Sequence, residues 1–111
     1  MAKRLAKALG ASIPTGTSNE CILNGEPVVI KCAAATTDSV GVTYSMLKRI
    51  ARIIGAFETS ENTFDVWSLT PQQYESQMRD TASNGASAGK VGLVRRSYFE
   101  KAGAHIGTVV V

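Results

Sequence analysis

The dipeptide Asn24-Gly25 constrains the fold of this chain more than any other feature. It separates two β-prone runs, residues 20–23 and 26–34, and Asn-Gly strongly favours a two-residue turn between antiparallel strands. The sequence therefore predicts a β-hairpin. The second run is almost continuously apolar, which is typical of a central strand covered on both faces, and Lys31 is its one charged interior residue. A lysine there extends its ammonium to solvent, pairs with an acid or points into a site.

Helix and strand patterns alternate on both sides of this hairpin. A helix over 1–10 ends at Gly10, and a longer amphipathic helix runs from its N-cap at Thr43 to Gly55. The other predicted elements are, in chain order, a polar loop at 11–19, two strands around a turn at 60–62, a helix starting at Pro71, a polar loop at 80–90, a segment at 91–99 that fits either helix or strand, and a strand at 106–111. A chain of 111 residues has the length of one domain. We therefore expect an α/β (α+β) fold in which residues 1–111 form a single small domain, with a mixed central sheet flanked by helices.

Basic residues concentrate in the first half of the chain. Residues 1–55 contain seven Lys or Arg against three Asp or Glu, whereas residues 56–111 contain five against six. Two basic sets stand out, one on the predicted 43–55 helix and one after residue 90: Lys48, Arg49 and Arg52, then Arg95 and Arg96. The first set lies with Ser45 at helical spacing, opposite the apolar stripe. An ordinary solvated helix face explains this pattern, and so does a surface that contacts phosphates.

Residues 18–78 resemble the core of the restriction-endonuclease-like, PD-(D/E)XK, nuclease superfamily. The resemblance is carried by the hairpin sequence SNECILNGEPVVIKCA, the helix pattern after it, and the segments IIGAF and FDVWSLTPQQY. In that family, an acid near the start of one strand and an acid and a lysine two residues apart on the next hold a divalent metal and orient water. The resemblance places Glu20 on the first acid and Lys31 on the lysine, but Val29 occupies the position of the second acid. It implies a restriction-endonuclease-like core with Glu20 as a ligand of Mg²⁺ and with Glu20 and Lys31 as catalytic residues. Because one acid is missing, activity as a Mg²⁺-dependent endonuclease stays open.

Two functions from different classes follow from these patterns. The first is a DNA-binding domain related to metal-dependent nucleases, with DNA rather than RNA as the expected nucleic acid. Its phosphate contacts would come from the two basic sets, Lys48, Arg49, Arg52, Arg95 and Arg96. The alternative is a non-catalytic assembly protein that forms a homodimer or binds a protein partner through β edges, such as the strand at 106–111.

The remaining motifs exclude several other classes. The segment GASAGKVG around Lys90 lacks the spacing of a phosphate-binding P-loop, and Cys21 and Cys32 fit free thiols better than a disulfide or a zinc site. No apolar run approaches the roughly 20 residues of a membrane span, and residues 1–10 lack the apolar core of a secretory signal. We therefore expect a cytoplasmic protein without a membrane partner.

Overall fold

A mixed five-stranded β-sheet forms the centre of the structure, a computed structural model that describes residues 2–12, 20–80 and 91–111. The elements are, in chain order, α1 (Ala2–Leu9), β1 (Glu20–Leu23), β2 (Glu26–Ala33), β3 (Ser39–Thr43), α2 (Tyr44–Leu47), β4 (Arg52–Ser60), β5 (Thr63–Leu69), α3 (Pro71–Gln77), β6 (Arg79–Asp80), β7 (Val91–Arg95), α4 (Arg96–Ala102) and β8 (Ala104–Val110). Helices pack on both faces of the central sheet, and this α+β arrangement confirms the predicted fold class. Within the described residues, no helix combines the length and apolarity needed to cross a bilayer. Parts of three predicted features lie outside the described residues. They are residues 13–19 of the first polar loop, residues 81–90 of the second polar loop, and the motif around Lys90 up to and including Lys90.

The central sheet has the strand order β1-β2-β4-β5-β8. Strands β2 and β4 run parallel, and every other neighbouring pair in this sheet is antiparallel. A parallel pair needs a crossover connection, and β3 and α2 lie in that connection. A second sheet of order β3-β7-β6 is antiparallel and packs on the same face of the central sheet as α2, α3 and α4.

The predicted β-hairpin is confirmed. Strands β1 and β2 pair from Leu23 and Glu26 outward, which leaves Asn24 and Gly25 as the two turn residues. Their φ angles are 52° and 80°. Both values lie in the left-handed region that a type I′ turn requires, and Asn and Gly adopt that region at low cost.

The helix predicted from Thr43 to Gly55 is wrong over most of its length. Thr43 does cap a helix, since its Oγ1 accepts a hydrogen bond from the Met46 backbone, but that helix ends at Leu47. Strand β4 begins at Arg52 and pairs in parallel with β2. Residues 53–57 are buried without interruption between β2 and β5, and β-branched isoleucines favour such a strand. The basic helix face predicted for Lys48, Arg49 and Arg52 is therefore not formed.

Two apolar layers enclose the central sheet. On one face, Val29, Ile53 and Phe57 pack against Tyr74 of α3 and Phe99 of α4. On the other face, Leu5 and Ala6 of α1 cover a second cluster that includes Ile30 and Ile54. Because β2 contributes to both layers, the prediction of a strand covered on both faces is confirmed for residues 28–30.

The segment at 91–99, for which the sequence allowed helix or strand, contains both. Strand β7 ends at Arg95, and α4 begins at the next residue. The main-chain N–H of Arg96 donates a 2.6 Å hydrogen bond to the carbonyl of Asp38, which ties the start of α4 to the residue before β3. The closing strand is also confirmed, since β8 pairs with β5 in the central sheet.

Candidate functional site

Helix α4 separates a buried side from an exposed side that carries polar and basic groups. Phe99 is fully buried, and its ring packs edge-on against Phe57 with 5.2 Å between the ring centroids. Because Phe99 faces the sheet, Ser97 and Lys101, which are four residues apart, lie together on the exposed side. Tyr98 lies beside them and is half-buried against the apolar layer.

Helix α3 is held against the end of α4 by one glutamine. The side chain of Gln73 accepts a hydrogen bond from the Thr70 backbone, while the Gln73 backbone donates to the Thr70 hydroxyl, so the two residues form a capping box. The amide nitrogen of Gln73 also donates a 3.2 Å hydrogen bond to the carbonyl of Ala102. These contacts fix the helix whose last residue, Gln77, leads through Met78 to Arg79.

The ends of α3, β6 and β7 and the exposed side of α4 together enclose a concavity of about 490 Å³. Six residues line this basic concavity: Gln77, Arg79, Arg95, Ser97, Tyr98 and Lys101. Three of the six carry a positive charge, and none carries a negative charge. Amide, hydroxyl and phenol groups complete the lining, so every polar residue type present can donate hydrogen bonds to an anion.

The cations of the basic concavity differ from three other arginines of the structure, which form ion pairs with carboxylates. Arg49 pairs with Glu20 at 2.8 Å, Arg52 with Glu26 at 3.7 Å, and Arg96 with Glu100 at 3.2 Å. By contrast, in the described part of the chain no carboxylate lies within 4 Å of the charged groups that line the concavity, those of Arg79, Arg95 and Lys101. No ion pair within the described residues compensates their charge, which favours an external anion there.

The structure places the five predicted DNA-contacting residues on separate surfaces. Arg95 lines the basic concavity. Arg96 turns towards the core, where its guanidinium lies 5.5 Å from the centre of the Phe57 ring and pairs with Glu100. Arg49 and Arg52 are engaged by the two acids of the β1–β2 hairpin, and Lys48 is exposed just after α2.

The two residues implied as catalytic, Glu20 and Lys31, lie on the same face of the sheet. Glu20 pairs in register with Val29, and Lys31 is two residues farther along β2. The Glu20 carboxylate accepts hydrogen bonds from Nε and Nη2 of Arg49, at 2.8 and 2.9 Å. This contact raises the pKa of the Arg49 guanidinium, mainly through the hydrogen bond to Glu20. Lys31 is half-buried and lies opposite Gly55 of β4.

The surroundings of Glu20 do not fit the divalent metal that the resemblance implies. Mg²⁺ is held by carboxylate oxygens and water, but the Glu20 carboxylate is already in a two-point contact with Arg49, and its strand neighbour is Val29. Across the described ranges, no three His, Cys, Asp or Glu side chains are grouped so that they could hold a metal ion. The described residues therefore do not assemble the oxygen ligands that such a site requires.

Both cysteines are free, as predicted. Burial raises the pKa of the Cys21 thiol, and desolvation also raises the pKa of the Cys32 thiol despite the nearby positive charge of Lys31. A raised pKa lowers the fraction of thiolate, the nucleophilic form. Neither cysteine therefore has the environment of an activated nucleophile.

Sequence reasoning missed Arg79, Tyr98 and Lys101 as members of one site. A helix predicted to start at Arg96 would have placed Ser97 and Lys101 one turn apart, so the sequence contained a signal for these two residues. The sequence contained no signal for Arg79, because only the pairing of β6 with β7 brings Arg79 near α4.

Comparisons of this chain with protein-family models, with curated proteins and with solved structures found no match.

Proposed function

We propose that this domain binds DNA by holding backbone phosphates in the basic concavity. The observation that carries the proposal is the convergence of Arg79, Arg95 and Lys101, without a carboxylate partner in the described chain, on one concave surface. Phosphate contacts from Arg and Lys supply the sequence-independent part of nucleic-acid affinity. Arginine adds geometric fit, since its planar guanidinium can donate two hydrogen bonds to one phosphate.

The remaining lining residues suit the same ligand. The Ser97 hydroxyl and the Gln77 amide can donate to phosphate oxygens, and the half-buried Tyr98 offers an aromatic surface next to the cations. The three cations come from three different elements, β6, β7 and α4, and no single loop supplies them. DNA can engage such a set of cations through successive phosphates of its backbone.

The affinity of single variants for DNA tests the proposal. Arg79→Ala, Arg95→Ala and Lys101→Ala are each expected to weaken binding by about tenfold and to lower the slope of log affinity against log salt by about 1, because each removes one phosphate contact. Fluorescence anisotropy with a labelled DNA duplex, titrated at several salt concentrations, measures both quantities.

Lys48→Ala is the matched control for these variants. Lys48 is also exposed but lies after α2, outside the basic concavity, so its removal is expected to leave affinity and salt slope close to those of the wild type. Equal losses in Lys48→Ala and the concavity variants would contradict a localised site. Tighter binding of an RNA duplex of the same sequence would make RNA the ligand instead of DNA.

A second prediction concerns cleavage. With supercoiled plasmid and Mg²⁺ or Mn²⁺, the wild-type protein is expected to retard the DNA without nicking it, because Arg49 holds the Glu20 carboxylate and Val29 replaces an acid. One agarose gel measures both effects, and Lys31→Ala is expected to retard DNA as the wild type does. Metal-dependent nicking that disappears in Lys31→Ala would instead show a nuclease that uses Lys31.

A further inference from the structure

The two edge strands of the central sheet, β1 and β8, differ in the hydrogen bonding of their outward main-chain groups. On the β1 edge, Ser12 occupies the main-chain groups of Ile22: its N–H donates to the Ile22 carbonyl at 2.9 Å, and its hydroxyl accepts from the Ile22 N–H at 2.8 Å. On the β8 edge, no strand from the described ranges pairs with the side that faces away from β5. Within the described ranges, the β1 edge of the sheet is therefore blocked and the β8 edge is open.

Along this edge, the outward main-chain groups of β8 have no strand partner among the residues that the structure describes. Val111 donates a 2.8 Å hydrogen bond to the Asn62 carbonyl, at the end of the ladder with β5. Hydrogen-bonded and outward-facing residues alternate in an antiparallel ladder, so Val109 bonds to β5, while the N–H and C=O groups of Thr108 and Val110 point outward. The pairing is uninterrupted from Gly107 to Val110, and the register shift lies just before it.

The side chains of β8 do not protect the edge either. Edge strands usually avoid intermolecular pairing by carrying charged residues or proline, and residues 104–110 contain no Lys, Arg, Asp, Glu or Pro. Val110 and Ile106 are 71% and 42% exposed, two of the three large apolar residues that the described chain exposes. The potential ion-pairing group of β8, His105, is turned towards Trp67 and Asp65 of β5.

We propose that β8 pairs antiparallel with the β8 of a second copy of this chain, about a two-fold axis, and joins the two central sheets into one of ten strands. A second copy fits because antiparallel pairing is self-complementary: each strand offers the other the same outward donors and acceptors and the same exposed valine. Residues 104–110 contain no Lys, Arg, Asp or Glu, so pairing of the two β8 strands places no such side chains of the strands opposite one another.

The oligomeric state of Val110→Lys tests this pairing. In sedimentation equilibrium, the wild type is expected to reach twice the chain mass of 11.7 kDa as concentration rises, and Val110→Lys is expected to stay at the monomer mass, because a lysine on an edge strand opposes pairing with another strand and the two-fold axis brings two such lysines to one seam. Val110 is highly exposed in the single chain, so this substitution leaves the core unchanged.

Ile22→Lys is the matched control. It also places a lysine at an exposed apolar position of an edge strand in the same sheet, but on the edge that Ser12 blocks, so it is expected to dimerise as the wild type does. A wild type that stays monomeric up to about 1 mM would overturn the proposal, as would two variants that behave alike. Hydrogen exchange supplies a second readout, since the Thr108 and Val110 amides are expected to be protected only in the dimer; fast exchange in the dimer would exclude pairing through β8.

Discussion

Replacing Phe99 with alanine is expected to lower the free energy of unfolding by about 3–5 kcal/mol. Phe99 is fully buried, and its ring packs against Phe57 and Tyr74 with centroid distances of 5.2 and 6.4 Å. The ring also fills the space above Gly55, where an added Cβ would lie 2.8 Å from it. Truncation leaves a cavity between α4 and the sheet that the rigid strands cannot fill. Urea denaturation followed by circular dichroism measures the loss.

Phe99→Leu is the control for this prediction. Leucine keeps much of the apolar volume, so the expected loss is smaller, about 1–2 kcal/mol. Because Phe99 anchors the helix that carries Ser97 and Lys101, DNA affinity is expected to fall in Phe99→Ala and to be largely kept in Phe99→Leu. A loss below about 1 kcal/mol in Phe99→Ala would contradict the packing of α4 described here.

The parts of the fold that were predicted correctly depend on local chemistry. Asn24-Gly25 specifies its turn through two residues that tolerate left-handed φ, and Pro71 marks the start of α3 because its missing N–H costs nothing there. Strand β4 could not be predicted in this way. Its isoleucines continue the helical spacing of Met46 and Leu47, and the choice of strand comes from neighbours β2 and β5, which pair with it on both sides.

The candidate site was predictable only in part for the same reason. Arg95 stood out because it is adjacent to another arginine in the sequence. Arg79 and Lys101 join it through tertiary structure, by the pairing of β6 with β7 and by the packing of α4. Net charge was misleading, since the first half of the chain is the more basic one, yet Arg49 and Arg52 there are paired with acids. Positive charge without a partner identifies the site better than the number of charges does.

Raising the pH above about 10, the ordinary pKa of tyrosine, is expected to destabilise the domain through Tyr74. Tyr74 is fully buried, and its phenol hydroxyl donates to the carbonyls of Gly92 and Val40, at 2.7 and 3.0 Å. Burial raises the pKa of Tyr74 well above its ordinary value and outweighs an opposing hydrogen bond with the Val42 backbone. The folded state therefore keeps this proton at a pH where the unfolded state has lost it. The stabilisation is complete below pH 10 and decreases as the pH rises towards the folded-state pKa.

Tyr74→Phe separates this titration from general alkaline unfolding. The variant lacks the titrating proton, so the fall in unfolding free energy above pH 10 is expected to flatten, as measured by urea denaturation at a series of pH values. At neutral pH the variant is expected to be less stable by about 1–3 kcal/mol, because the carbonyls of Val40 and Gly92 lose their shared buried donor. An unchanged slope in Tyr74→Phe would assign the alkaline loss to other groups. The two carbonyls belong to β3 and β7, so the same hydroxyl that titrates also links α3 to the second sheet by hydrogen bonds.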